Sequence, residues 1–213
     1  VPDTLRDAFL LAAGTAARLL AEPAVARHWA EPSALPAYRV SGLAGHLGLQ
    51  VRYVSQLLEA PAPAGPVETL DDHYAAAAWI GAAVDDEPNV FARESGERHA
   101  QQGPATLAAD VAALAGGLGA AFAAAPADRT VRLPWADRVL TLDDFLLTRM
   151  MEIVVHVDDL AVSVGVPTPA SPAEVTEPVI GLLTRLAVRR HGALPLVRAL
   201  SRAERAPDTV AAF

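Results

Sequence analysis

Three side chains in this sequence have the chemistry to hold one divalent metal ion together: His46, Glu152 and His156. Glu152 and His156 lie four apart in the run Arg149-Met150-Met151-Glu152-Ile153-Val154-Val155-His156-Val157-Asp158-Asp159-Leu160. On a helix that spacing puts a carboxylate and an imidazole on one face, one turn apart. The Met, Ile and Val around them read as a core helix, where a buried Glu and His are costly unless they pair or bind metal. His46 stands among small and apolar residues in Gly42-Leu43-Ala44-Gly45-His46-Leu47. Two imidazoles and one carboxylate leave one coordination position open, as a catalytic zinc site does and a closed structural site does not. Nickel, iron and manganese suit the same donors. The residues fit equally a plain hydrogen-bonded Glu–His pair and a satisfied core histidine, and the spacing leaves those readings open.

Positioning these groups is work for helices. Leu5, Phe9, Ala12, Ala13, Ala16, Leu19 and Leu20 recur at three- and four-residue steps and predict a first helix over Asp3 to Glu22, ended by Pro23. A second is expected over Gly42 to Glu59, with Ser41 as its N-cap. Residues 69–102 read as one or two helices, with Asp71 or Asp72 as a cap and Pro88 as a break. A third long helix runs from Pro104 to about Ala125. The stretches Thr130–Leu133 and Val139–Leu140 signal a short hairpin. Thr141, with Asp144 three residues on, opens a fourth long helix that Gly165 and Pro167 stop after Val164. Residues 173–191 and 194–204 read as two further helices. The expectation is an all-α fold. Residues 1–168 would form a metal-binding four-helix bundle with a short β-hairpin insertion, and residues 169–213 a short helical C-terminal appendage packed on it. The long loops after the first and second helices suit crossover connections.

Composition narrows the classes of function. The 213 residues are 52% hydrophobic and only 5% aromatic, enough for a helical core without staples. There is no Cys, which excludes a disulfide framework, a Cys-based zinc finger and a protein thiol nucleophile. A net charge of −8 argues against nucleic-acid binding. Arg185, Arg189, Arg190, Arg198, Arg202 and Arg205 are the nearest thing to a basic patch, and their helical spacing reads as a solvated face. All 17 basic residues are Arg, a bias of GC-rich genomes such as those of actinobacteria. No segment reads as a signal peptide or membrane anchor, so a cytoplasmic monomer or homodimer is expected. His28, His73, His99 and His191 have no partner at ligand spacing and are expected in polar or loop-like contexts. Trp29 and Trp135 read as packing anchors.

Three stretches carry a resemblance: SGLAGHLGLQVRYV, LPWADRVLTLDDFLLTRMMEIVVHVDDLA and VIGLLTRLAVRRHGALPLVRALSRAERAP. With them the chain resembles the DinB-like four-helix bundle superfamily, in its mycothiol-dependent maleylpyruvate isomerase branch. The resemblance implies zinc on His46, Glu152 and His156, and matches Asp159 to the family's Asp three residues beyond the second His, a support for the ligands or a packing residue. It implies a functional Arg between the second and third long helices, for which Arg93 is the candidate, with Arg98 in the same stretch. Asp159 and Arg93 are therefore the expected catalytic residues beside the metal ligands. The implied cosubstrate is mycothiol, acting as a low-molecular-weight thiol nucleophile on an electrophilic small molecule, by S-transfer or cis–trans isomerisation. A metal-dependent hydrolase with Asp158 or Asp159 as base, and a non-catalytic metal-binding bundle with a stress or ligand-sensing role, are the alternatives.

Overall fold

The computed structural model describes residues 4–213. Helix α1 spans Leu5–Leu20, and the Thr4 side chain caps it by accepting the Asp7 N–H. The expected start at Asp3 lies outside the described residues. A short helix, α2 (Pro23–Arg27), follows, with Pro23 in a first turn that needs no N–H from it. Helix α3 spans Val40–Glu59 and begins earlier than the sequence suggests. Ser41 is not its cap. The Val40 and Ser41 N–H groups donate to the carbonyls of Glu31 and Trp29 at 2.9 and 3.0 Å, so the preceding loop satisfies the helix start. That leaves the Ser41 hydroxyl to donate to Glu97 at 3.1 Å.

Helix α4 (Leu70–Ala75) is capped by Thr69 and not by either Asp; Asp71 and Asp72 sit in its first turn, where their charge favours the helix dipole. Helix α5 covers Glu87–Ala100, and Pro88 opens it instead of breaking it. Helix α6 covers Pro104–Ala124. Strands β1 (Thr130–Arg132) and β2 (Val139–Thr141) pair antiparallel, Val131 opposite Leu140. Helix α7 covers Leu142–Val164; Thr141 accepts the Asp144 N–H at 3.0 Å, and Gly165 ends the helix at φ +69°. Only a residue without Cβ adopts that angle at little cost. Helices α8 (Ala173–His191) and α9 (Ala193–Ser201) complete the order, with a 3₁₀ turn at Ala203–Arg205.

The bundle consists of α1, α3, α6 and α7. Helices α1 and α3 each pack against both α6 and α7, so chain neighbours α1 and α3 stand diagonally, not side by side. The long segments that precede α3 and α6 make that crossover order feasible. Phe9, Leu43, Leu47, Phe145, Leu146 and Met150 are fully buried at its centre. Helix α8 adds Val175, Val179, Leu182 and Leu186 to the same core, while Leu194, Val197 and Leu200 of α9 stay exposed. Among the described residues, α6 alone is long and apolar enough by length and composition to cross a membrane; in the fold it seats Leu107, Val111, Leu118 and Phe122 in the bundle.

One contact sets the site's outer wall. Helix α5 crosses α3 backbone to backbone: a Cβ on Gly45 would fall on the Gly96 carbonyl, and one on Gly96 on the Gly42 carbonyl. Glycine at both positions lets the two helices touch, which brings α5 up to the turn that carries His46.

Candidate metal centre

His46 sits on the second turn of α3, and Glu152 and His156 sit midway along α7. The packing of α3 against α7 brings them together across the bundle. Glu152 Oε2 lies 3.3 Å from His46 Nε2 and 3.2 Å from His156 Nε2. The imidazole rings meet edge-on with centroids 4.9 Å apart. One donor atom from each of the three residues falls within 4.8 Å of the others, the spacing at which a single cation can be shared. Their side chains are 15–17% exposed, so the site is sheltered but reachable.

The donor set fits a divalent metal on its own chemistry. Asp159 Oδ2 lies 2.9 Å from His156 Nδ1, on the side of the ring away from Glu152. A carboxylate there accepts the Nδ1–H and leaves the Nε2 lone pair for a ligand, the usual support of a metal-binding histidine. Asp158 turns away; its carboxylate accepts the Thr168 hydroxyl. Of the two aspartates only Asp159 touches the triad.

Charge balance in the metal-free site follows from these contacts. Burial pushes Glu152 toward neutrality, but hydrogen bonds to His156 and His46 and the Arg149 charge outweigh it and hold the carboxyl well below its usual range. Burial, joined by the neighbouring His156 and Arg149 charges, keeps His46 below the ordinary imidazole value. Burial acts the same way on His156, yet the bonds to Asp159 and Glu152 prevail and raise it to about 9. Without an ion on the three donors, these contacts favour a proton on His156 over one on His46 or Glu152.

Around the triad stand residues that the sequence reading passed over. Gln50, one turn beyond His46, is wholly buried; its Nε2 lies 3.2 Å from His46 Nε2 and donates to the His46 carbonyl at 2.8 Å. Arg149, buried one turn before Glu152, donates to Gln50 Oε1 at 2.6 Å. Tyr38 sets its ring against His46 at 6.3 Å; burial and then the Glu152 charge push its hydroxyl up to about 12. The signal for Gln50 and Arg149 was present as four- and three-residue spacings from His46 and Glu152. Tyr38 is in a loop, where spacing says nothing.

Tyr38 also lines an open cavity of about 480 Å³ shared with Trp79, Asn89, Arg93, Arg190 and Phe213. Arg93 reaches it from α5, held by the Val84 carbonyl and within 3.5 Å of Asp85. Arg98 faces solvent, spent on Glu94 and Ser95. The other arginines of the tail are exposed, and only Arg190 lines the cavity.

The remaining histidines stay away from the triad. His28 pairs with Glu31, and His191 meets the Ala211 carbonyl. The expected polar or loop-like setting fails for His73 and His99, which lie on α4 and α5 with His73 Nδ1 and His99 Nε2 buried and unpartnered. Trp29 is half-buried against the core, whereas Trp135 is 40% exposed and covers the Arg149 guanidinium at 5.0 Å.

The family model described as mycothiol maleylpyruvate isomerase N-terminal domain matches residues 10–161 of the chain. The matched span contains all three donors and ends before α8. No curated protein and no solved structure matches.

Proposed function

The chain belongs to the mycothiol maleylpyruvate isomerase N-terminal domain family, and on that premise we propose that it is a zinc- or other divalent-metal-dependent enzyme that uses mycothiol as nucleophile on an electrophilic small molecule. The observation that carries this reading is the convergence of His46, Glu152 and His156 within 4.8 Å. When bound, such an ion supplies a Lewis-acidic position that favours a thiolate over its thiol. The chain has no Cys, so a nucleophilic sulfur must arrive on a cosubstrate.

The chain's own residues supply the rest. His46 offers a neutral nitrogen, His156 another once its proton has left, Glu152 one negative charge, and Asp159 holds the His156 ring. The cavity beside Tyr38 offers Arg93 and Arg190 to a carboxylate-bearing electrophile and the Trp79 and Phe213 rings to its apolar part. The sulfur forms a C–S bond to the electrophilic carbon. If that carbon belongs to a cis double bond conjugated to a carbonyl, the π pair moves onto the carbonyl oxygen, the resulting single bond rotates, and return of the pair re-forms the double bond as trans and expels the same thiolate. If it bears a leaving group, that group departs with the bonding pair and the S-conjugate remains. Hydrolysis is less well served: Asp159 is engaged by His156 and Asp158 by Thr168, so neither is a free general base.

The test is metal content of the purified protein, with calorimetric titration of mycothiol into metal-loaded and chelated forms. Binding in the loaded form alone is expected. A loaded protein that ignores the thiol overturns the reading.

A further inference from the structure

Gln50 makes an arrangement that a packing role does not require. Its Oε1 accepts from Arg149 Nη1 at 2.6 Å. A guanidinium carries donors only, so the amide oxygen must face Arg149 and the NH₂ must face His46. One N–H of that NH₂ goes to the His46 carbonyl at 2.8 Å, and the other points toward His46 Nε2 at 3.2 Å. The same Nε2 is a donor atom of the triad, 3.3 Å from Glu152 Oε2. Whether that Nε2 gives its proton to Glu152 or its lone pair to a cation, it leaves the second N–H of Gln50 without an acceptor. Gln50 is 0% exposed, so water does not replace it. A buried donor in that position needs a new acceptor at the site.

Arg149 adds the charge. It is 7% exposed, its guanidinium lies 5.0 Å from the Trp135 ring and 5.4 Å from the Phe145 ring, and its protein acceptors are the Thr148 hydroxyl and Gln50. No carboxylate pairs with it among the described residues. The Glu152 charge reaches it only through space, and a buried cation with no directly paired carboxylate remains an attraction for an added anion.

We propose that Gln50, clamped by Arg149, is a further binding residue of this centre: it donates its second amide N–H to the anionic atom, a thiolate sulfur or an oxyanion, that joins the metal-loaded triad. Arg149 is the positioning residue, acting through the Gln50 amide. The inference rests on the metal-binding reading above.

The experiment uses the full chain loaded with Co(II), whose visible absorption reports both ion and added ligand, with 2-mercaptoethanol as the probe. Wild type, Gln50→Leu and Arg149→Lys are titrated first with Co(II) and then with the thiol. Co(II) affinity within a few-fold of wild type is expected in both variants. Thiol affinity is expected to fall about tenfold in Gln50→Leu, equivalent to about 1.4 kcal/mol, and by less in Arg149→Lys. Gln50→Glu keeps the size and the bond to Arg149 but lacks the donor, and it serves in place of Gln50→Leu should that variant not fold; a similar loss is expected. Unchanged thiol affinity in the Gln50 variants overturns the proposal and leaves the metal reading intact. Loss of Co(II) from a folded Gln50 variant also overturns it, by assigning Gln50 to the ion and not to the anion. A wild-type protein that takes up no Co(II) overturns the metal reading, and this proposal with it.

Discussion

Asp159 Oδ2 lies 2.9 Å from His156 Nδ1, so the orientation of a triad imidazole is set from its own helix, three residues on. The bond fixes which nitrogen faces Glu152 and does so without help from another element. Replacing Asp159 by Ala is expected to lower metal affinity about ten- to a hundredfold with the helical circular dichroism unchanged. Competition against a chromophoric chelator measures it; unchanged affinity would reduce Asp159 to a packing residue.

His156→Ala removes a donor outright. Stoichiometric metal is expected to be lost after dialysis while the bundle stays folded, because its core is built by Phe9, Leu43, Leu47, Phe145 and Met150 and not by the triad. Metal analysis and thermal unfolding on one preparation check both halves. Full retention of metal would remove His156 from the ligand set.

Metal uptake should release a proton. In the metal-free protein burial opposes a charge on His156, but Asp159 and Glu152 raise it to about 9. Being raised, the group stabilises the metal-free fold fully below its ordinary value of about 6.5, and that contribution fades as pH rises through about 9. Ligation needs the neutral ring, so apparent affinity should climb about tenfold per pH unit from pH 7 toward 9 and then level off. Calorimetry at pH 7 in two buffers of different ionisation enthalpy should show about one proton released. No release would contradict the assigned charge state.

His73 makes the opposite case. Burial, aided by the Arg149 and Arg138 charges, depresses it to about 4. The neutral ring contributes stability above the ordinary value of about 6.5, which is lost as pH falls through about 4, up to roughly 3 kcal/mol in all. Denaturant titrations from pH 7 to 4 should therefore fall less steeply for His73→Phe than for wild type. Parallel slopes would show that the imidazole is already charged in the fold.

The glycine crossing ties stability to the site. A Cβ on Gly96 would fall on the Gly42 carbonyl and 3.2 Å from His46 Cβ. Gly96→Ala should cost about 1–3 kcal/mol by forcing α5 off α3, a drop of about 2–4 °C in Tm per kcal/mol at this size, and should weaken metal binding as well. Gly116→Ala, where an added Cβ meets nothing within 4 Å, is the control that should not lower Tm.

Much of this protein follows from local pattern. Periodicity along the chain, Thr141 with Asp144, and Gly165 fix α7 and put Glu152 and His156 on one face, because the four-residue step of a helix needs no tertiary information. The absence of Cys likewise settles, without any fold, that a sulfur nucleophile is not the protein's own. Starts of helices were less legible: Ser41 looks like a cap, but Glu31 and Trp29 take over because the loop folds back on the helix end. What only the tertiary structure decided is how far each helix is rotated and raised against the next. His46 meets Glu152 across 106 residues and Arg149 meets Gln50 across 99, and neither distance leaves a periodic trace. Those meetings depend on α1 and α3 standing diagonally and on two glycines that let α5 touch α3, which are properties of packed surfaces and not of any one segment.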